Sequence, residues 1–188
     1  VAGVRAYNRW LADFCSGAPE RRAGVALIPP LSDMAGVVAE IEWAKKAGLR
    51  GGIALSAMPL TNTDQELFLH HPRYEPMWAA CEELDMPVNN HVGNLHMDYG
   101  PYPGSLWIVA HDNAIARHRV FWFLLWSGVF ERHPRLKWVA TETGGTLAIF
   151  AIQRADEAYQ YRNPELARTI LSLKPSEYWA RQCYIGAS

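Results

Sequence analysis

Met86-Pro87-Val88-Asn89-Asn90-His91-Val92-Gly93 is the stretch whose reading decides the fold. A short apolar run opened by proline ends in two amides, a histidine and a glycine. A parallel strand has this shape when it delivers polar side chains to the carboxyl edge of a sheet, the edge where α/β folds bind ligands and metals. The stretch Leu136-Lys137-Trp138-Val139-Ala140-Thr141-Glu142-Thr143-Gly144-Gly145 repeats the pattern and sets Glu142 where the first sets His91. The expected site is a pocket held between these two strand ends.

Upstream, Arg21 to Pro29 and Leu49 to Ser56 read as short buried strands. Between them Met34, Val37, Val38 and Ile41 recur at i, i+3, i+4, i+7 behind a Ser32 or Asp33 cap. Lys45 and Lys46 suit the negative end of that helix, and Gly48 stops it. An earlier helix spans Arg5 to Gly17, with Trp10, Leu11 and Phe14 at helical spacing. A polar loop runs from Ala57 to about Arg73, and Pro76 opens a helix with Met77, Trp78, Cys81 and Leu84 inward. From His91 to about Ile108 the chain is rich in glycine and proline and reads as an active-site loop. Asn90, Tyr99 and Trp107 are its candidate substrate contacts.

Downstream, a long helix is expected from Asp112 or Asn113 to Ser127. Gly144-Gly145 opens another, carrying Leu147, Phe150, Ala151 and Arg154 along one side. Pro175-Ser176-Glu177 caps a short turn, and Gln182 to Gly186 is a last strand. Strands alternating with helices predict one α/β domain with a parallel sheet and right-handed crossovers.

Composition bounds the function. Of 188 residues, 49% are hydrophobic and 20% charged, which is the balance of a globular chain. A net charge of −1 and the lack of a basic run argue against nucleic acid and anionic membrane as partners. Val120 to Trp126 is too short an apolar run to span a bilayer. The first residues do not read as a signal peptide. Three widely spaced cysteines, Cys15, Cys81 and Cys183, read as reduced core thiols of a cytoplasmic protein. No nucleophile elbow, dinucleotide fingerprint or P-loop is present.

Four runs, residues 21–56, 74–93, 127–145 and 174–188, together resemble the amidohydrolase-related, metal-dependent TIM-barrel family, the relatives of aminocarboxymuconate semialdehyde decarboxylase and resorcylate decarboxylase. The resemblance implies a parallel (β/α)8 barrel, of which this chain is an incomplete piece from about helix 2 to strand 7. His91 then matches the metal-ligand histidine that ends strand five. Many members end strand six in a histidine as well, and Glu142 stands there instead. A glutamate can ligate a divalent ion or act as acid or base. The strand-one histidine pair would precede Val1, and the strand-eight aspartate would follow Ser188. The implied cofactor is a divalent metal, zinc first and manganese as the alternative, with a homodimer as the implied assembly. Hydrolysis of a small carboxylated or cyclic substrate is the first expectation, and non-oxidative decarboxylation is the alternative. A metal-independent lactonase-like enzyme and a non-catalytic barrel piece remain as further readings.

Each candidate has a plainer reading beside it. His91 could be a polar contact at a strand end, and Glu142 could pair with an arginine at the barrel mouth. His96 and His111 read as surface or loop-supporting residues, with His111 and His118 seven apart on one helix face. His70-His71 and His133 read as loop residues. Gly144-Gly145 could cradle an anion at a helix N-terminus or only allow close packing. Trp122 and Trp126 read as core or as a dimer face.

Overall fold

The computed structural model describes residues 1–55, 68–91, 98–116, 118–142 and 145–186, with the backbone alone at 113–116. His96, Thr143, Gly144 and most of the expected 57–73 loop lie outside the described residues. In chain order the elements are α1 (Ala2–Ser16), β1 (Ala26–Leu27), α2 (Met34–Lys46), β2 (Ile53–Ala54), a 3₁₀ turn (Pro72–Tyr74), α3 (Glu75–Glu83), β3 (Val88–His91), α4 (Ser105–Ala116) and α5 (Arg119–Trp126). They continue with α6 (Val129–Arg132), β4 (Trp138–Thr141), α7 (Gly145–Glu157), a π-helical turn (Ala158–Arg162), α8 (Pro164–Ile170), α9 (Pro175–Gln182) and β5 (Cys183–Gly186).

All four strand pairs are parallel, and the strand order is β1-β2-β3-β4-β5. An open doubly wound sheet reverses its order at a switch point. This one never does, so it is built as consecutive staves of a barrel. In β3 and β4 burial alternates with a period of two: Val88, Asn90, Trp138 and Ala140 are buried, while Asn89, Val139 and Thr141 are half-buried and His91 is exposed. The buried set packs on the helical layer. The other set faces where a closed barrel has its axis.

The core beneath the sheet holds Val37 and Ile41 of α2, Met77 and Trp78 of α3, Phe121 and Leu124 of α5, Phe130 of α6 and Tyr178 of α9. Trp138 meets Phe121 at a ring distance of 6.0 Å and Trp179 edge-on at 5.7 Å. Each fully buried large side chain contributes about 1.5–3 kcal/mol. Gly52, with φ +93, leads into β2, and a Cβ there would lie 1.9 Å from the Pro87 carbonyl oxygen. No larger residue lets β2 approach β3 so closely.

The structure corrects several expectations. In α1 the fully buried residues are Asn8 and Cys15 and Leu11 packs against the core, while Trp10 and Phe14 are exposed. The Asn8 amide donates to the Leu27 carbonyl at 2.8 Å and accepts from the Leu27 N–H at 2.9 Å, satisfying the outer edge of β1. It also donates to buried Glu40, which Arg9 and Arg5 neutralise. The expected helix from Asp112 to Ser127 is two helices, α4 and α5, so His111 and His118 do not share a face. Because α4 begins at Ser105, Trp107 is helical and not part of a loop. The buried face of α7 is Ala148, Ala151 and Ala155, while Phe150 is exposed. Small residues let this helix lie close, and counting bulky side chains misses them. The Pro175 turn is the start of a full helix. Among the described residues no helix is long and apolar enough to cross a membrane.

Candidate active site

His91 is the last residue of β3, and Thr141, its register partner, is the last of β4. Glu142 follows directly. Glu142 has φ +53, a left-handed backbone conformation that costs a non-glycine residue about 1–2 kcal/mol. Such strain persists where the surroundings impose it, and it clusters at functional sites. The bend brings the Glu142 carboxylate to 3.2 Å from the His91 Nε2. Both side chains stay open to solvent, at 56% for His91 and 51% for Glu142. Among the described residues, a partner of Glu142 is thus the histidine of the neighbouring strand.

An imidazole nitrogen and a carboxylate oxygen are both ligands for zinc and for manganese. With metal–ligand bonds of about 2.1 Å and angles of about 90–110°, neighbouring ligand atoms sit roughly 3.0–3.4 Å apart. The observed 3.2 Å falls in that range. These two residues thus fit as part of a divalent-metal site. Among the described residues no group of three or more His, Cys, Asp or Glu side chains is arranged to hold a metal ion, so the pair by itself is an incomplete ligand set.

The other candidates divide. Asn90 is 1% exposed and lies on the helix-facing side of β3, away from the face that carries His91. Asn89 does share that face, but its amide is spent on the Gly51 and Ile53 carbonyls at 2.9 and 3.1 Å, pinning β3 to β2. Tyr99 is half-buried, and its carbonyl accepts from the Ser105 hydroxyl at the start of α4. Trp107 projects from α4 at 69% exposure, with Leu106 and Ile108 exposed beside it. The described geometry does not bring Asn90 or Trp107 to the His91–Glu142 pair.

Sequence reasoning missed a second histidine centre. His133, read as a loop residue, is buried just before β4, between two glutamates of α3. Its Nε2 lies 2.9 Å from Glu75 and its Nδ1 3.0 Å from Glu82. Arg132 grips Glu75 with two nitrogens at 2.8 and 2.7 Å, and the Arg135 N–H donates to Glu82 at 2.8 Å. Arg132, with His133 behind it, holds the Glu75 carboxyl below the ordinary carboxylate range against a counteracting desolvation. Burial pushes Glu82 up, but the Arg135 N–H and His133 outweigh it, and the net direction is down. The available signal was Glu75 and Glu82, seven apart on one face of α3.

The sequence pattern of the amidohydrolase family matches residues 1–178. The chain belongs to the amidohydrolase family. It is similar to the gamma-resorcylate decarboxylase of Rhodococcus jostii, 32% identical over 149 residues that cover 75% of this chain and 45% of that protein. Among solved structures it is similar to 5-carboxyvanillate decarboxylase from Sphingomonas paucimobilis, with TM-score 0.67 and 26% identity over 97% of this chain and 53% of that one. A dihydroxybenzoic acid decarboxylase from a Polaromonas species, solved with manganese and the inhibitor 2-nitroresorcinol, has TM-score 0.68 at 23% identity. It covers 97% of this chain and 55% of that one, and at this identity it shows the fold alone. The five parallel strands are thus a portion of a TIM barrel, as the sequence implied. The chain spans about half the length of the curated relatives it matches. These relatives are decarboxylases, so decarboxylation is better supported than the hydrolysis expected first.

Proposed function

We propose that this chain forms part of a metal-dependent, non-oxidative decarboxylase of small ring-carboxylated aromatic acids. The observation that carries it is the His91–Glu142 pair at adjacent carboxyl ends of β3 and β4, in a chain 32% identical to a gamma-resorcylate decarboxylase. His91 would hold a divalent ion through Nε2, and Glu142 would complete that side of the ligand set or carry the proton. The bound ion would supply positive charge for a substrate carboxylate and a neighbouring oxygen. In the reaction the bond from ring carbon to carboxylate breaks, its electron pair stays on the ring carbon, carbon dioxide leaves and a proton takes its place. Glu142, about half exposed beside His91, would deliver that proton. Manganese in a relative of the same fold supports a hard divalent ion, with zinc as the second choice.

The test is carbon dioxide release from 2,6-dihydroxybenzoate and from 5-carboxyvanillate, with manganese supplied and no oxidant. Release that depends on metal and disappears in His91→Ala supports the reading. Turnover of esters, amides or lactones with no carbon dioxide from either acid returns the hydrolase or lactonase reading to first place.

A further inference from the structure

Away from the strand ends, the seam between α5 and α7 opens into a cavity of about 660 Å³. Trp122 and Trp126 of α5 form one wall, and Tyr161 of the π-helical turn forms another. Arg154, Glu157 and Arg162 line the remainder. It begins more than two turns beyond the start of α7, roughly 14 Å along that helix from the His91–Glu142 edge. A smaller cleft of about 260 Å³, lined by Leu147, Phe150 and His118, shares Trp122 with it and continues the seam with apolar walls.

Three features of the larger cavity point the same way. Its volume lies in the range of small-molecule pockets, roughly 300–1,000 Å³. Three of its lining residues are aromatic, and the Trp122 N–H is already used on the Ala151 carbonyl at 3.3 Å, which fixes that ring in place. Its charge is unbalanced: Arg154 pairs with Glu157 at 2.5 Å, whereas Arg162 makes no ion pair among the described residues. The helix here is also irregular. The π-helical turn Ala158–Arg162 shifts the side chains that follow α7, and Ala158, Tyr161 and Arg162 from that turn all line the cavity. Single π turns inside helices occur frequently at functional sites.

We infer that the α5–α7 seam is a second binding site, for a flat anionic ligand of the aromatic carboxylate class. The ring stacks among Trp122, Trp126 and Tyr161, and the carboxylate meets the Arg162 guanidinium. Guanidinium and carboxylate match in a two-pronged hydrogen-bonded geometry, which a neutral ring cannot offer.

The test is titration of the full chain with naphthoate, followed by calorimetry and tryptophan fluorescence, beside the neutral naphthalene methanol. Saturable naphthoate binding is expected, with the neutral analogue about ten-fold weaker or worse. Arg162→Ala and Tyr161→Ala, both at exposed positions, each weaken binding by about ten-fold. His91→Ala leaves it unchanged, which separates this site from the proposed active site whether or not the decarboxylase reading survives. The inference is overturned if naphthoate does not saturate, if Arg162→Ala binds as well as the parent, or if His91→Ala abolishes binding. It is also overturned if sedimentation shows a dimer that Tyr161→Ala dissolves and naphthoate does not compete with, since the seam is then covered by a second copy.

Discussion

His91 and His133 each face glutamate, yet the two centres are built for different ends. His91 and Glu142 meet at 3.2 Å across the carboxyl edge of the sheet, both more than half exposed, on a backbone strained at Glu142. His133 is 9% exposed, has a carboxylate on each ring nitrogen, and draws in Arg132 and the backbone of Arg135. Its carbonyl also accepts from buried Gln182, tying the segment to the end of α9. One centre satisfies its polar groups within the protein and locks α3 to the entry of β4. The other leaves them accessible at the barrel mouth. In barrels the carboxyl end carries chemistry and the remainder carries stability, and the proposed role of the His91–Glu142 pair would divide the same two residue types along that line.

The sharpest way to break this comparison is to remove each histidine. His133→Ala empties a buried position and leaves the half-buried Glu82 with less compensation, and should cost about 2–4 kcal/mol in urea unfolding. His91→Ala, at an exposed position, should change stability by less than about 0.5 kcal/mol. Equal costs at the two positions would erase the distinction.

Acid sharpens it next. Glu75 and Glu82 are held below the ordinary carboxylate range in the folded chain, so the unfolded chain binds more protons as pH falls. Their stabilisation is present above the ordinary carboxylate pKa, about 4.3, and is lost as pH drops through the lower folded values. Urea midpoints measured from pH 6 to pH 3 should fall steeply in the parent and less steeply in Glu82→Gln. Identical profiles would remove the cluster as the cause.

A smaller effect is expected at Glu142. Glu142→Gly frees the left-handed backbone and should stabilise the chain by about 1 kcal/mol while abolishing metal uptake. Loss of both stability and metal would show that the carboxylate also serves the fold. The least change is expected from thiol reagents. Burial pushes the Cys81 thiol up to about 12 and raises that of Cys183 as well, so neither should be alkylated by iodoacetamide at neutral pH until the chain unfolds.

What the sequence disclosed follows from range. The β3 and β4 stretches are legible because alternation, a leading turn and a polar end all lie within ten residues, and both strands stand where those signals put them. The α2 helix is equally legible, down to the Asp33 side chain accepting from the Gly36 N–H at 2.9 Å. The His133 centre was hidden because its partners lie 51 and 58 residues away in the chain. Asn8 was hidden because an amide that completes the edge of β1 looks like a surface residue between aromatics. Trp107 was misplaced because the glycines and prolines before Ser105 suggested a longer loop than the one present. For the candidate site, the adjacency of His91 and Glu142 was legible from two matching strand ends. The 3.2 Å approach was not, since it depends on a bend at a residue whose type does not announce it.

The most direct test of the central claim is calorimetric titration of manganese into the full chain, beside His91→Ala and Glu142→Ala. If the carboxyl edge is a metal centre, the parent takes up about one ion per chain and each variant loses that uptake while remaining folded. A folded parent that takes up neither manganese nor zinc, or a His91→Ala variant that binds as well as the parent, would contradict it.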